Sequence, residues 1–208
     1  LPRFNVDEAL EAINAHRPTR FPGVPTMYIA INNHPRLREF NVSSIKVCSS
    51  GSAPMPVEAL KKFEELTGGK ISEGYGLTEA SPLAIANPPF GKRKVGSIGI
   101  PRPATDAKIV DLETGEKTLP PGREGELCLR GPQVMKGYLN MPDATARTLR
   151  EFEGQVYLYT GDVAAMDDEG YLTICDRSKD MLIVGGYKVF SVEVESKLKE
   201  LAFIELCA

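Results

Sequence analysis

Apolar and polar positions along this chain fall into three textures. From Asp7 to His16, Leu10 and Ile13 share one side among charged residues, which predicts an amphipathic helix with Asp7 as its N-cap. Thr19 to Val24 is a short apolar run, and Pro25 suits the first turn of a second helix. Ile45 to Ser49 reads as a buried strand broken by Gly51-Ser52-Ala53-Pro54. Pro56 to Thr67 predicts a helix with Leu60, Phe63 and Leu66 on its inner face and Gly68-Gly69 as its stop. Another short strand then delivers Gly74 to Pro82. Strand, glycine-bearing loop, helix and strand is the grammar of an α/β layer, where ligands gather at the carboxyl ends of strands.

After Pro88-Pro89 the period shortens. Ala107–Asp111, Glu126–Arg130, Tyr157–Tyr159 and Tyr171–Cys175 are β-rich runs, with turn signals at Glu113-Thr114-Gly115, Pro120-Pro121-Gly122 and Asp167 to Gly170. One helix, Asp143 to Arg150, interrupts them. This predicts a compact, mostly antiparallel β-subdomain. The tail changes again: Met181–Val184 is a strand, Gly185-Gly186 a turn, and Val192 to Leu201 a helix with Val194, Leu198 and Leu201 as its apolar residues.

Composition narrows the function classes. The 208 residues carry 42% hydrophobic content, enough for one substantial domain or two small ones, and a formal net charge of −3. The longest basic run is only Gly91-Lys92-Arg93-Lys94, so nucleic acid is a poor default partner. No apolar stretch approaches a membrane span and no charged-then-apolar leader opens the chain. Cys48, Cys128, Cys175 and Cys207 are far apart and form no C-x-x-C, which predicts buried free thiols in a reducing cytoplasm. The two histidines, His16 and His34, read as capping or loop residues, so a zinc site or histidine-based triad would be hard to build.

The chemistry concentrates in Gly74-Tyr75-Gly76-Leu77-Thr78-Glu79. Glycines let the backbone approach a phosphate, an aromatic can cover a base, a hydroxyl can donate to phosphate, and a carboxylate can hold Mg²⁺. A turn with a capping threonine would look similar in isolation. Gly51 to Pro54 could lay its backbone along a base edge. Tyr159-Thr160-Gly161-Asp162 ends a strand with a carboxylate whose two oxygens can accept from both hydroxyls of a ribose, although a turn aspartate would read the same way. Asp176-Arg177-Ser178-Lys179-Asp180 packs four charges into five positions, as a solvated linker or a hinge would.

Taken in order, these segments resemble the superfamily of AMP-forming adenylating enzymes: acyl- and aryl-CoA synthetases, peptide-synthetase adenylation domains and firefly-type luciferases. Gly51–Pro54 resembles the adenine-edge turn, and Tyr75 to Glu79 the Y-G-x-T-E signature. Gly125-Glu126-Leu127 with Gly131, Gly137 and Tyr138 resembles the G-E-L…G…G-Y stretch. Tyr159 to Asp162 is similar to the T-G-D motif, and Gly170-Tyr171-Leu172 through Arg177 to Gly186 to the motif spanning the hinge. The opening third (Phe21 to Tyr28) and Gly185 to Ser191 look like medium- and long-chain fatty acyl-CoA synthetases. Luciferases and plant aryl-CoA ligases typically carry lysine where Gly185 stands.

The resemblance implies a large adenylating domain, here an α/β subdomain over 1–88 and a β-rich, barrel-like subdomain over 89–176, with the hinge and start of an α+β lid over 177–208. It implies MgATP, a carboxylic acid and CoA as reactants and an acyl-adenylate between them. Tyr75 would stack on adenine, with Gly51, Ser52, Ala53, Pro54 and Gly74 along its edge and Gly76 and Leu77 beside the nucleotide. Thr78 would donate to the α-phosphate and Glu79 would hold Mg²⁺. Asp162 and Arg177 would grip the ribose next to Ile174, and Lys179 would be the hinge position. Val24, Pro25 and Gly76 would border the acyl pocket, and Gly185, Gly186 and Tyr187 the CoA side. The family's phosphate loop would precede Leu1 and its adenylation lysine would follow Ala208, implying an internal fragment that does not adenylate efficiently alone. An acyl-AMP ligase feeding a carrier protein, a non-catalytic nucleotide-binding remnant and a homodimeric assembly all stay open at this level.

Overall fold

The computed structural model of the chain describes residues 3–177, 180–184 and 187–199. Asn5, rather than Asp7, caps the first helix, α1 (Val6–His16): its side chain accepts the Glu8 N–H at 3.1 Å. Asp7 lies in the first turn, where an acid suits the helix dipole, and its Oδ1 lies 3.0 Å from Nε2 of His34. His34 therefore ties the end of the second helix to the start of the first.

Three short strands, β1 (Arg20–Gly23), β2 (Val47–Ser50) and β3 (Lys70–Gly76), run parallel, with Gly23 beside Ser50 and Ser50 beside Glu73. Helices α2 (Pro25–Asn32) and α3 (Val57–Thr67) lie between them in sequence, as the crossovers between parallel strands require. Two antiparallel strands that the pattern did not predict, β4 (Leu83–Ala86) and β5 (Ile100–Pro101), complete the sheet. Leu10, Ile13, Tyr28, Ile31, Leu60 and Phe63 from the helices form one core with Cys48 of β2 and Ile71 of β3. Tyr28 and Phe63 meet edge to face at 4.9 Å between ring centroids, and Phe21 packs on both.

Pro25 opens α2 as expected. In α3, however, Leu66 is 40% exposed and Thr67 turns inward. At about 100° per residue, Thr67 returns to within about 20° of Leu60, whereas Leu66 sits about 120° away. The Thr67 hydroxyl is satisfied by donating to the Phe63 carbonyl at 2.9 Å. Gly68 ends the helix at φ +71.

The contacts divide the chain into two compact units, Leu1–Arg102 and Pro103–Ala208. In the second, β6 (Asp106–Val110), β7 (Glu124–Arg130), β8 (Leu149–Phe152), β9 (Gln155–Met166) and β10 (Leu172–Arg177) form an antiparallel sheet. The long β9 is its axis: β7 pairs along one edge, while β8 and then β10 share the other. Helix α4 (Pro142–Thr148) stops short of the predicted end at Arg150, because Leu149 and Arg150 are drawn into pairing with Leu158 and Tyr157. A hairpin, β11 (Leu182–Val184) and β12 (Tyr187–Val189), precedes α5 (Ser191–Lys199). Leu201, expected on that helix, lies outside the described residues. No helix among the described residues is long and apolar enough to cross a membrane.

Candidate functional site

The carboxyl ends of β1, β2 and β3 lie along one edge of the first sheet, and each runs into a segment singled out by sequence. β1 leads into Val24, the N-cap of α2, and Pro25. β2 leads into the turn Gly51–Pro54, and β3 into Gly76 to Pro82. This is the edge where α/β sheets collect ligands. Tyr28, fully buried, holds it together: its hydroxyl lies 3.0 Å from the Phe21 carbonyl and 2.8 Å from that of Ser49.

The Gly51–Pro54 turn is held against the end of β3. A Cβ on Gly51 would lie 3.4 Å from the Gly74 carbonyl, and Ser52 takes φ +72, the left-handed region. Behind the turn, the Glu73 carboxylate accepts the backbone N–H groups of Met55 and Gly96. Burial pushes the Glu73 carboxyl above its ordinary value against those two donors. Ser52, Ala53 and Pro54 stay exposed while Met55 is buried beneath them.

Tyr75 pairs with Ile85, and the register then slips so that Gly76 faces Leu83. The Leu77 N–H closes the following loop by donating to the Pro82 carbonyl at 2.9 Å. Within it Thr78–Ala80 form one 3-10 turn and Ser81 lies at φ +54. Gly76 permits this closure, because a Cβ there would fall 1.7 Å from the Pro82 carbonyl oxygen. Fully buried Ala80 anchors the loop, leaving Thr78 exposed and Glu79 half-buried. The described residues contain no group of three His, Cys, Asp or Glu able to hold a metal ion by themselves. One carboxylate is nonetheless the donor set Mg²⁺ uses when substrate phosphates supply other ligands, so Glu79 fits that role.

The second unit brings Asp162 and Arg177 together. Asp162 was expected at the end of a strand; instead it sits within β9, in a bulge. Glu126 pairs with Val163 and Cys128 with Tyr159, so Leu127 alone spans the interval filled by Thr160, Gly161 and Asp162. Gly161 takes φ +74 there. The Thr160 hydroxyl donates to the Leu127 carbonyl at 2.8 Å, and the Asp162 N–H donates to Thr160 Oγ1 at 3.1 Å. The Asp162 side chain is 11% exposed, and its Oδ1 accepts from Nε of the outward-lying Arg177 at 3.2 Å. Ile174 pairs with Ala164 on the neighbouring strand and is half-buried.

Asp176, read as one charge of a linker, is buried. Its carboxylate accepts from the Ser191 N–H at 2.5 Å and the Ser191 hydroxyl at 2.9 Å, at the first turn of α5. Lys179, Gly185 and Gly186 lie outside the described residues. Tyr187 starts β12, with its side chain outside them too. Sequence reasoning passed over Glu73 and Arg150, and Glu126 entered only as a letter of a motif. Only long-range pairing reveals what these three touch. Cys48 and Cys128 are buried free thiols on β2 and β7, and Cys175 on β10 is half-buried.

A family model described as AMP-binding enzyme matches residues 1–139. The chain is 52% identical over 200 residues to a long-chain-fatty-acid–CoA ligase of Bacillus subtilis, covering 96% of this chain and 35% of that protein. It is 39% identical over 206 residues to a feruloyl-CoA synthase of an Amycolatopsis species, covering 99% of this chain and 40% of that one. The crystal structure of ATP-bound MatB from Rhodopseudomonas palustris superposes with a TM-score of 0.85 at 34% identity, over 97% of this chain and 39% of the other. The chain thus spans little more than a third of these relatives' length, and within that span its fold is that of an adenylating-enzyme domain. On the strength of the family match and these identities, this chain belongs to the AMP-binding enzyme family.

Proposed function

We propose that the protein containing this chain activates a carboxylic acid with ATP and passes the acyl group to coenzyme A. A medium- or long-chain fatty acid is the favoured substrate class, which would place the protein in fatty acid metabolism. A carboxylate oxygen attacks the α-phosphorus of ATP, and the bond to the bridging oxygen breaks with pyrophosphate leaving. The coenzyme A thiol, giving its proton to solvent, then attacks the acyl carbon, and AMP departs with the electrons of the acyl–oxygen bond. A thioester remains.

In this reading Tyr75 covers the adenine, and Gly51 to Pro54 with Gly74 border its edge. Gly76 and Leu77 bring the backbone alongside the nucleotide, and the Thr78 hydroxyl donates to the α-phosphate. Glu79 would hold Mg²⁺ jointly with phosphate oxygens; the bound ion supplies positive charge against the charge that develops on the phosphates. Asp162 accepts from the ribose hydroxyls beside Ile174 and Arg177, with Arg177 orienting the carboxylate. Val24, Pro25 and Gly76 border the acyl pocket. Lys179 is assigned as the hinge of a lid beginning at residue 177, and Gly185, Gly186 and Tyr187 to the CoA side. Subdomains over 1–88 and 89–176 complete the assignment.

The observation that carries this reading is the common edge at which β1, β2 and β3 end, bringing together Val24-Pro25, Gly51–Pro54 and the Gly74–Glu79 segment that closes β3. Buried free Cys48 and Cys128 suit a reducing cytoplasm. The deciding measurement uses the intact protein: acid-dependent exchange between ATP and pyrophosphate, followed by AMP release on adding CoA, across a panel of acids. Exchange without AMP release, restored by a carrier protein, would point to an acyl-AMP ligase. Absence of exchange with any acid would sink the adenylation reading. Sedimentation of the same material would test for a homodimer.

A further inference from the structure

Behind the Asp162 bulge lies a second layer of side chains that nothing in the ribose reading uses. Oε1 of Glu126 accepts the Gly161 N–H at 3.0 Å, while Oε2 lies 3.5 Å from an Arg150 guanidinium nitrogen. Glu126 is only 17% exposed at its side chain. The central carbon of the Arg150 guanidinium lies over Tyr159, 3.4 Å from the ring centroid, and its Nε is buried without a hydrogen-bond partner among the described residues. Tyr159, immediately before the bulge, donates its own hydroxyl to the Gly115 carbonyl at 2.8 Å. A bulge leaves backbone groups off the ladder, and a part-buried N–H without a partner is costly to leave unsatisfied. Glu126 is the group that satisfies this one.

We propose that Glu126, held by Arg150, is a positioning residue for ATP: it fixes the left-handed Gly161 so that the Asp162 carboxylate faces the ribose diol. The inference rests on the reading of Asp162 as the ribose anchor. The chain of contacts runs Tyr159 face, Arg150, Glu126, Gly161 N–H, Asp162. Three consecutive residues, Thr160 to Asp162, are pinned within it, since Thr160 also grips the Leu127 carbonyl. Without the acceptor, the Gly161 peptide is free to turn to water and carry the adjacent carboxylate with it.

The test uses the intact protein and measures KM and kcat with ATP and with 2′,3′-dideoxy-ATP for the wild type, Glu126→Ala, Glu126→Gln and Asp162→Ala. Glu126→Ala is expected to raise KM for ATP about tenfold, as loss of one charge-assisted hydrogen bond implies. It should change KM for dideoxy-ATP less than about twofold and leave kcat at saturating ATP within about threefold, because the penalty is exerted through the diol. Glu126→Gln keeps an acceptor for Gly161 and should recover most of the loss. If Glu126→Ala does not fold, Arg150→Met, which retains an apolar cover for Tyr159, should give a smaller, diol-dependent rise. An equal rise with both nucleotides would overturn the positioning role. Full preference for ATP in Glu126→Ala, with that preference lost in Asp162→Ala, would overturn the positioning role alone. Full preference in both variants would overturn the ribose reading with it.

Discussion

Arg177 and Asp162 face each other as the last rung of the β9–β10 ladder, with Nε of Arg177 3.2 Å from Oδ1 of Asp162. They are 15 residues apart in sequence, and antiparallel pairing alone brings them together. The carboxylate is buried and the guanidinium exposed, so the arginine fixes the orientation of the carboxylate. Asp162→Ala in the intact protein is expected to raise KM for ATP at least tenfold, and Arg177→Ala by about threefold to tenfold, by the usual worth of charged hydrogen bonds. ATP titration in the pyrophosphate-exchange assay reads both, and unchanged KM in each would contradict the ribose assignment.

Gly76→Ala should abolish most activity without unfolding the protein. The new methyl group would overlap the Pro82 carbonyl, so the Leu77 to Pro82 closure must open and move Thr78 and Glu79. Overpacking of this kind costs about 1–3 kcal/mol, and misplacing a catalytic loop by about 1 Å can cost about a hundredfold in rate. Circular dichroism and turnover measured on the same preparation separate the two effects.

If Glu79 carries Mg²⁺, Glu79→Gln should shift the Mg²⁺ dependence more than the ATP dependence. The half-saturating Mg²⁺ concentration should rise by about tenfold at fixed nucleotide, since one anionic ligand becomes neutral. A change in kcat with an unaltered Mg²⁺ curve would remove the metal from Glu79's account.

Stability should depend on the partly buried pair of Glu64 and Arg93. The side chains are 12% and 15% exposed and meet at 2.6 Å; Glu64 also accepts the Ile71 N–H at 2.7 Å. Burial works to raise the Glu64 carboxyl, but Arg93, Ile71 and Lys70 outweigh it and hold it below the ordinary value. A depressed folded-state value means the stabilisation is complete above the unfolded carboxylate range, about 4.3, and is lost as pH falls through the folded one. Glu64→Gln should cost about 2 kcal/mol at neutral pH. In urea titrations from pH 7 to pH 3, wild type and variant should converge at the acid end.

Native thiol labelling at pH 8 should modify Cys175 before Cys48 or Cys128. Burial pushes the Cys48 thiol up to about 12 and raises Cys128 as well, which starves both of thiolate. Mass spectrometry of partially labelled protein distinguishes the order; rapid modification of Cys48 would show that the α/β core opens.

Much of this protein is legible in its sequence. The helices α1 to α3 announce themselves by period and by Pro25 and Gly68. The Gly74 segment stands out because glycine, hydroxyl and carboxylate lie within six residues, and Gly51–Pro54 because a turn follows a buried run. The errors are local in the same sense. Leu66 reads as an inner residue by its apolar character although its angle on the helix turns it outward, and Arg150 reads as helix because nothing nearby shows that β9 pairs with it as a strand.

Local order along the chain thus points to the family, because motifs such as Gly51–Pro54 and Gly74–Glu79 are built from neighbouring residues. The tertiary structure decides the rest. A bulge in β9 exists only relative to β7, so the placement of Asp162, the support from Glu126 and Arg150 behind it, and the burial of Asp176 against Ser191 depend on partners 15 or more residues away. Side-chain direction in a sheet follows strand register, and register is set by the packing of whole strands rather than by the residues that will do the chemistry.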